Sequence, residues 1–156
     1  MTRIYPEHLP VIPDEPAAEN FRVIDVDKTR GRGVLVLTAY KAGEVLFRMN
    51  GTLTKEMTQF TLQMDELWHL DDPDFAGRVL HSCDPNSRLD PTTRLFTAVK
   101  DIEPGDLLTM DYDETEDVLY RPFPCSCGAE NCRGYIAGRA VDVSADTEVQ
   151  LVNMVG

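Results

Sequence analysis

No apolar run in this sequence approaches the 18 or so residues needed for a membrane-spanning helix. A helical span of the bilayer is thereby excluded, and no membrane partner is expected. Positive charge is short: 15 Lys and Arg stand against 27 Asp and Glu, for a formal net charge of −12. That shortage argues against direct nucleic-acid binding, which rests on Lys and Arg contacts to phosphate. It favours a basic partner, although solubility alone would explain the acidity equally well. No cationic and apolar leader opens the chain, so the expected location is intracellular, cytoplasmic or nuclear. Internal repeats are missing. So is the third glycine that Gly31-Arg32-Gly33 would need, with a helix after it, to signal a dinucleotide fold.

Long helical periodicity is also scarce. Residues 1–20 carry Pro6, Pro10, Pro13 and Pro16 with few apolar residues, a spacing that reads as an extended arm, with order starting near Phe21. Short strands are predicted at Phe21–Val26, Val34–Leu37, Val45–Met49, Leu95–Val99 and Leu107–Tyr112. A turn is expected from Asp27 to Gly33, and Gly31 and Gly33 suit a hairpin turn. Phe60–Met64 and Trp68–Leu70 flank Asp65-Glu66-Leu67 as a predicted hairpin. Asp72-Pro73 signals a helix start, and Gly77 keeps that helix short. A second short helix, capped by Asp146, is expected in the tail. At 156 residues and 42% hydrophobic content, these pieces suit one mainly β domain.

What is present in small number is informative. Of four cysteines, Cys125, Cys127 and Cys132 crowd into a Cys-x-Cys-x4-Cys loop, and Cys83 stands alone in His81-Ser82-Cys83-Asp84-Pro85-Asn86. Zn²⁺ in a structural site takes four protein ligands in a tetrahedron, with Zn–S of about 2.3 Å. Such a site would staple residues 125–132 back to residue 83. The plainer alternative is four unrelated buried thiols packing as small hydrophobes, and without a secretory leader a disulfide framework is disfavoured. His8 and His69 read as ordinary surface or strand residues. Asp111, Asp113, Glu114, Glu116 and Asp117 read as a solvated acidic loop that could also draw a basic peptide.

Three motifs together resemble the SET-domain protein lysine methyltransferases: His-Ser-Cys-Asp-Pro-Asn at 81–86, Gly-Asp-Leu-Leu-Thr-Met-Asp-Tyr at 105–112, and Cys-Ser-Cys-Gly-x3-Cys-Arg-Gly-Tyr at 125–135. Gly31-Arg32-Gly33 matches the family's first glycine motif. The resemblance implies a fold of several small β-sheets around a threaded pseudoknot, in which residues 105–112 pass beneath a loop near residues 80–86. It also implies a C-terminal zinc-binding post-SET loop, whose fourth ligand in that family is the cysteine of the histidine motif. The chain then divides into an arm (1–20), the SET domain (21–121), the post-SET loop (122–137) and a tail (138–156).

The implied activity is transfer of a methyl group from S-adenosylmethionine to a lysine of a basic protein or peptide, a histone being one candidate. Tyr112 matches the catalytic tyrosine. Gly31, Arg32, Gly33, Leu80, His81 and Tyr135 are the implied cofactor contacts, with His81 acting through its backbone and Tyr135 covering the adenine. Met110 is the implied substrate-channel residue, and Cys83, Cys125, Cys127 and Cys132 hold a structural Zn²⁺. Two positions depart from the pattern. Leu80 stands where the family usually has Asn, and Phe47-Arg48-Met49-Asn50-Gly51 replaces Glu-Tyr-x-Gly. The rival reading is a catalytically inactive, zinc-stapled module that binds basic peptides.

Overall fold

The computed structural model describes residues 3–141. The helix expected after Asp146 lies outside the described residues, as does most of the 138–156 tail. Among the described residues the architecture is built from short strands in five small sheets. β1 (Phe21–Asp27) and β2 (Gly31–Val36) form an antiparallel pair. The turn between them is shorter than the sequence suggests, and Gly31 to Gly33 belong to the strand. β3 (Val45–Arg48) follows, then β4 (Thr52–Thr54), β5 (Thr61–Gln63) and β6 (His69–Asp71), which make a sheet of order β4-β6-β5. The expected hairpin around Asp65 is the β5–β6 pair. The Asp72-Pro73 signal yields one 3-10 turn, Ala76–Arg78.

β7 (Leu80–His81) precedes β8 (Ser87–Asp90) and β9 (Leu95–Ala98), and the latter two join β3 in a sheet of order β3-β9-β8. β10 (Thr109–Met110) then runs parallel to β7. β11 (Phe123–Pro124) and β12 (Tyr135–Ile136) bracket the cysteine loop. The predicted strand at 107–112 is thus paired over only two residues, and Tyr112–Glu114 turn into a 3-10 turn started by Asp111, whose side chain accepts from Asp113 N–H.

The core gathers around four phenylalanines. Phe47 sits 4.6 Å from Phe96, 4.8 Å from Phe75 and 5.2 Å from Phe21 between ring centroids, in stacked and edge-on pairs. Such contacts add about 0.5–1.5 kcal/mol each beyond the burial of area. Phe47 therefore serves the core, and the departure at 47–51 is a packing choice away from the site.

The arm corrects the sequence reading. Its described residues form no regular strand or helix, as four prolines require, yet it is part of the core: Tyr5 is 3% exposed and packs with Phe75. Its hydroxyl donates to Asp72 Oδ2 at 2.5 Å and accepts from the Asn50 N–H at 3.0 Å. Arg3 ties the arm to itself through Glu15 and the carbonyls of Pro6 and Leu9. Side chains thus supply the hydrogen bonds that a sheet would otherwise give.

Burial pushes the Asp72 carboxyl up from 3.8 to about 6. The folded state therefore holds its proton across that window. Stability from this group is full below about pH 4 and lost as pH rises through about 6. Tyr5→Phe removes one donor from a carboxylate that is charged at pH 8 and mostly neutral at pH 5. It should cost about 1–3 kcal/mol in urea denaturation, with the larger loss at pH 8. Equal losses at the two pH values would remove the charged hydrogen bond from this account.

Candidate active site and metal centre

The site is assembled where β7 and β10 lie side by side, with Leu80 opposite Thr109 and His81 opposite Met110. Two residues of ladder are weak alone, so side chains reinforce them. Asn86 accepts the Thr109 N–H at 2.8 Å through Oδ1 and donates to the Leu107 carbonyl at 2.9 Å through Nδ2. The Ser87 hydroxyl donates to the Thr109 carbonyl at 2.7 Å, and the Ser82 N–H to the Met110 carbonyl at 3.0 Å. The turn after His81 is thereby laced to the segment that delivers Tyr112.

Tyr112, with Gln59 and Gly77, forms the shared wall of two cavities. One, of about 240 Å³, is bordered by Gly31, Arg32, Arg78 and Leu80. The other, of about 180 Å³, is bordered by Leu62, Val79, Met110, Glu116 and Phe123. Both are many times the space one water needs. The Tyr112 hydroxyl donates to the Val79 carbonyl at 2.7 Å. Burial first, then the charge of Glu116, pushes its pKa up, so the phenol is neutral at ordinary pH.

His81 turns its ring away from both cavities and into the protein. Its Nδ1 accepts the Tyr112 N–H at 3.1 Å, and its Nε2 lies 3.4 Å from Cys83 Sγ. An accepting Nδ1 leaves the proton on Nε2, which then points at sulfur. Burial holds the ring's pKa below its usual value, although Asp111 opposes this. The neutral ring is therefore a bridge between Tyr112 and the cysteine cluster.

In that cluster the sulfurs of Cys83, Cys125, Cys127 and Cys132 all lie within 4.8 Å of one another. A tetrahedron with Zn–S of about 2.3 Å has S···S edges of roughly 3.8 Å, and Cys83 to Cys125 measures 3.9 Å. Four soft ligands at that spacing fit a metal ion of zinc's preference. The loop is positioned from outside as well. Arg133 N–H donates to Cys83 Sγ at 3.4 Å, and Asn131 Nδ2 to the Cys83 carbonyl at 3.0 Å. The Arg133 guanidinium grips Asp111 at 3.0 and 2.6 Å and Asp113 at 3.2 Å.

A sequence model of the SET domain matches residues 31–113. The chain belongs to the SET-domain family. It is similar to methyltransferase flvH of Aspergillus flavus, 42% identical over 60 residues that cover 37% of this chain and 34% of that protein. It is similar to histone-lysine N-methyltransferase met-2 of Caenorhabditis elegans, 41% identical over 71 residues, covering 37% of this chain and 5% of that one. Against histone-lysine N-methyltransferase ASHR3 of Arabidopsis thaliana it is 42% identical over 69 residues, covering 39% and 13%. The chain therefore spans about a third or less of these relatives. Among solved structures, KRYPTONITE in complex with mCHG DNA and SAH aligns with a TM-score of 0.63 at 24% identity, covering 76% of this chain and 29% of that one. The methyltransferase domain of human SETMAR aligns at 0.57 and 23%, covering 76% and 58%. These two likenesses establish the fold.

Within this SET fold the predicted residues separate into groups. Gly31, Arg32, Leu80 and Tyr112 border one cavity, Met110 and Tyr112 the other, and the four cysteines converge. Gly33, His81 and Tyr135 border neither cavity. Gly33 is buried, and a Cβ there would come 3.0 Å from Leu80 Cδ1 and from Val26 Cγ2, so it permits strand packing. Tyr135 is buried in β12 opposite Pro124. Gly31 has φ +73°, a conformation that favours glycine. Sequence reasoning missed Arg78, Gly77 and Glu116 at the cavity walls, and nothing local marks them. Asn86 stands in the histidine–cysteine motif, and the structure gives it the role of lacing the turn to Thr109 and Leu107.

Cys83→Ser should release one bound metal ion per chain and loosen residues 125–137, because local folding and metal binding are coupled. Metal content by elemental analysis and protease sensitivity of that loop are the readouts. Full metal occupancy in the variant would contradict the four-sulfur staple.

Proposed function

We propose that the chain is a protein-lysine N-methyltransferase that moves a methyl group from S-adenosylmethionine to a lysine side chain of a basic protein or peptide, with Zn²⁺ purely structural. The observation that carries this reading is the meeting of two separate cavities at the hydroxyl-bearing residue Tyr112. A group-transfer enzyme needs a donor chamber and an acceptor chamber that share one wall.

The donor chamber suits S-adenosylmethionine. Arg30, Arg32 and Arg78 border it, a donor set fitting the carboxylate of an amino-acid moiety, and Gly31, with nothing within 4 Å of where a Cβ would stand, leaves room for close approach to the backbone. When bound, S-adenosylmethionine supplies a methyl group on a cationic sulfur, open to attack by a neutral amine.

The acceptor chamber suits an alkyl chain carrying a nitrogen. An ammonium has no lone pair, and reaching the neutral amine at pH 7 from a reference pKa near 10.4 costs roughly 4.6 kcal/mol. Leu62, Val79, Met110 and Phe123 lower that cost by desolvating the charged form. Tyr112 commits its proton to Val79, which leaves its oxygen to accept an amine N–H and aim the lone pair. Met110 offers a thioether where a hydroxyl could hold a water, and this supports addition of more than one methyl group. The net charge of −12 supports a basic substrate over nucleic acid. A histone tail is a candidate, since two relatives are described as histone-lysine methyltransferases and KRYPTONITE has been solved with an H3(1–15) peptide.

One observation favours a second reading. Leu80 packs its side chain against Gly33 and offers no polar group to the donor chamber, as an inactive peptide-binding module would tolerate. Tyr112→Phe separates the two. It should cut transfer of labelled methyl groups to mixed core histones about 100-fold. Metal content and S-adenosylmethionine affinity should hold, because the lost interaction acts near the transition state. Equal activity in variant and parent would remove Tyr112 from the mechanism, whereas no activity in either would favour the binding module.

A further inference from the structure

Glu116 stands apart from the acidic run that contains it. Asp111 and Asp113 are paired with Arg133, Glu114 with Arg88 and Asp117 with Arg139. Among the described residues Glu116 has no ion pair. It is 7% exposed and borders the acceptor chamber beside Met110 and Tyr112. This overturns its sequence reading as part of a solvated loop.

The two hydrogen bonds that fix the carboxylate both reach Oε2. One comes from the Gln63 N–H at 2.9 Å and the other from the Thr115 hydroxyl at 2.7 Å. Among the described residues none reaches Oε1. The nearby cations make their contacts elsewhere: Arg121, which also borders the chamber, donates to Gln59 Oε1 at 3.4 Å, and Arg139, whose charge reaches Glu116 without pairing with it, donates to Asp117 and to the Glu114 carbonyl. A carboxylate buried without a cation in contact is costly to ionise, and burial raises its pKa against the opposing hydrogen bonds from Gln63 and Thr115 and the charge of Arg139. An incoming cation would relieve that cost.

We propose that Glu116 is the cation-recognising group of the acceptor chamber, receiving an alkylammonium at Oε1 in a pocket whose remaining walls are mostly apolar. The inference rests on reading that chamber as the lysine channel, and it specifies how the channel selects its ligand. A charged amine enters as the counter-ion of Glu116, whereas an uncharged chain of the same shape leaves the carboxylate unpaired. The pair also has a route to neutrality. An N–H bond breaks, an O–H bond forms on Oε1, and the nitrogen keeps its lone pair. Both groups are then uncharged in a low-dielectric site.

The test uses the full zinc-loaded chain with methyl-labelled methionine, since Met57 and Met110 both border the chamber. n-Butylammonium chloride and 1-butanol are titrated separately at neutral pH while the methionine methyl resonances are followed. The parent should take the cation about 10-fold more tightly than the alcohol. Glu116→Gln keeps the shape and the acceptor for Gln63 and Thr115, and should bring the two affinities level. Glu116→Asp keeps the charge and should retain part of the preference, which guards against a folding artefact in the first variant. A preference unchanged in Glu116→Gln, equal affinities in the parent, or a chamber that takes neither probe would each overturn the inference. Cation preference in a parent that transfers no methyl group would keep this inference and sink the methyltransferase reading. Methyl transfer by a parent whose cation preference survives Glu116→Gln would do the reverse.

Discussion

Leu80 and His81 run parallel to Thr109 and Met110, and the placement of every chemically interesting group depends on that short ladder. Four backbone residues cannot hold two distant stretches of chain in register alone. Asn86 and Ser87 do so, by occupying the amide and carbonyl of Thr109 that a longer sheet would have paired. A half-buried Asn that both donates and accepts leaves the crossing segment little freedom to slide, because any slip breaks several hydrogen bonds at once. Tyr112 follows two residues after the ladder ends, so its position inherits that register.

The same ladder joins the metal centre to the chamber wall. His81 faces inward from β7, touching the Tyr112 amide with one nitrogen and the Cys83 sulfur with the other. A metal ion on Cys83 would hold that sulfur, the sulfur would orient the imidazole, and the imidazole would fix the backbone that carries the phenol. Arg133 makes a second link, from the cysteine loop to Asp111 and Asp113 on either side of Tyr112. A metal held there would thus have a mechanical route to Tyr112 without touching it.

The cysteines were legible in the sequence because their chemistry needs no fold to be recognised: four thiols with that spacing have few uses. The larger strands were legible through composition and turn residues, as at Phe21–Asp27 and in the hairpin around Asp65. β7 and β10 were not, since a two-residue ladder has no period to read. The arm was misread because its burial depends on a hydrogen bond between Tyr5 and Asp72, 67 residues apart. Glu116 was misread because a run of acids looks solvated from sequence. Only the fold reveals that four of the five face arginines or solvent while one turns inward.

What unites these features is one polypeptide wall with two chambers behind it, one fringed by three arginines and the other mostly apolar, with the carboxylate of Glu116 and with Arg121 at its border. Calorimetric titration of the zinc-loaded chain with S-adenosylmethionine tests the central claim most directly. The account predicts saturable binding of one molecule per chain, competed by S-adenosylhomocysteine. An absence of binding at millimolar ligand would contradict it, whatever peptide the other chamber accepts.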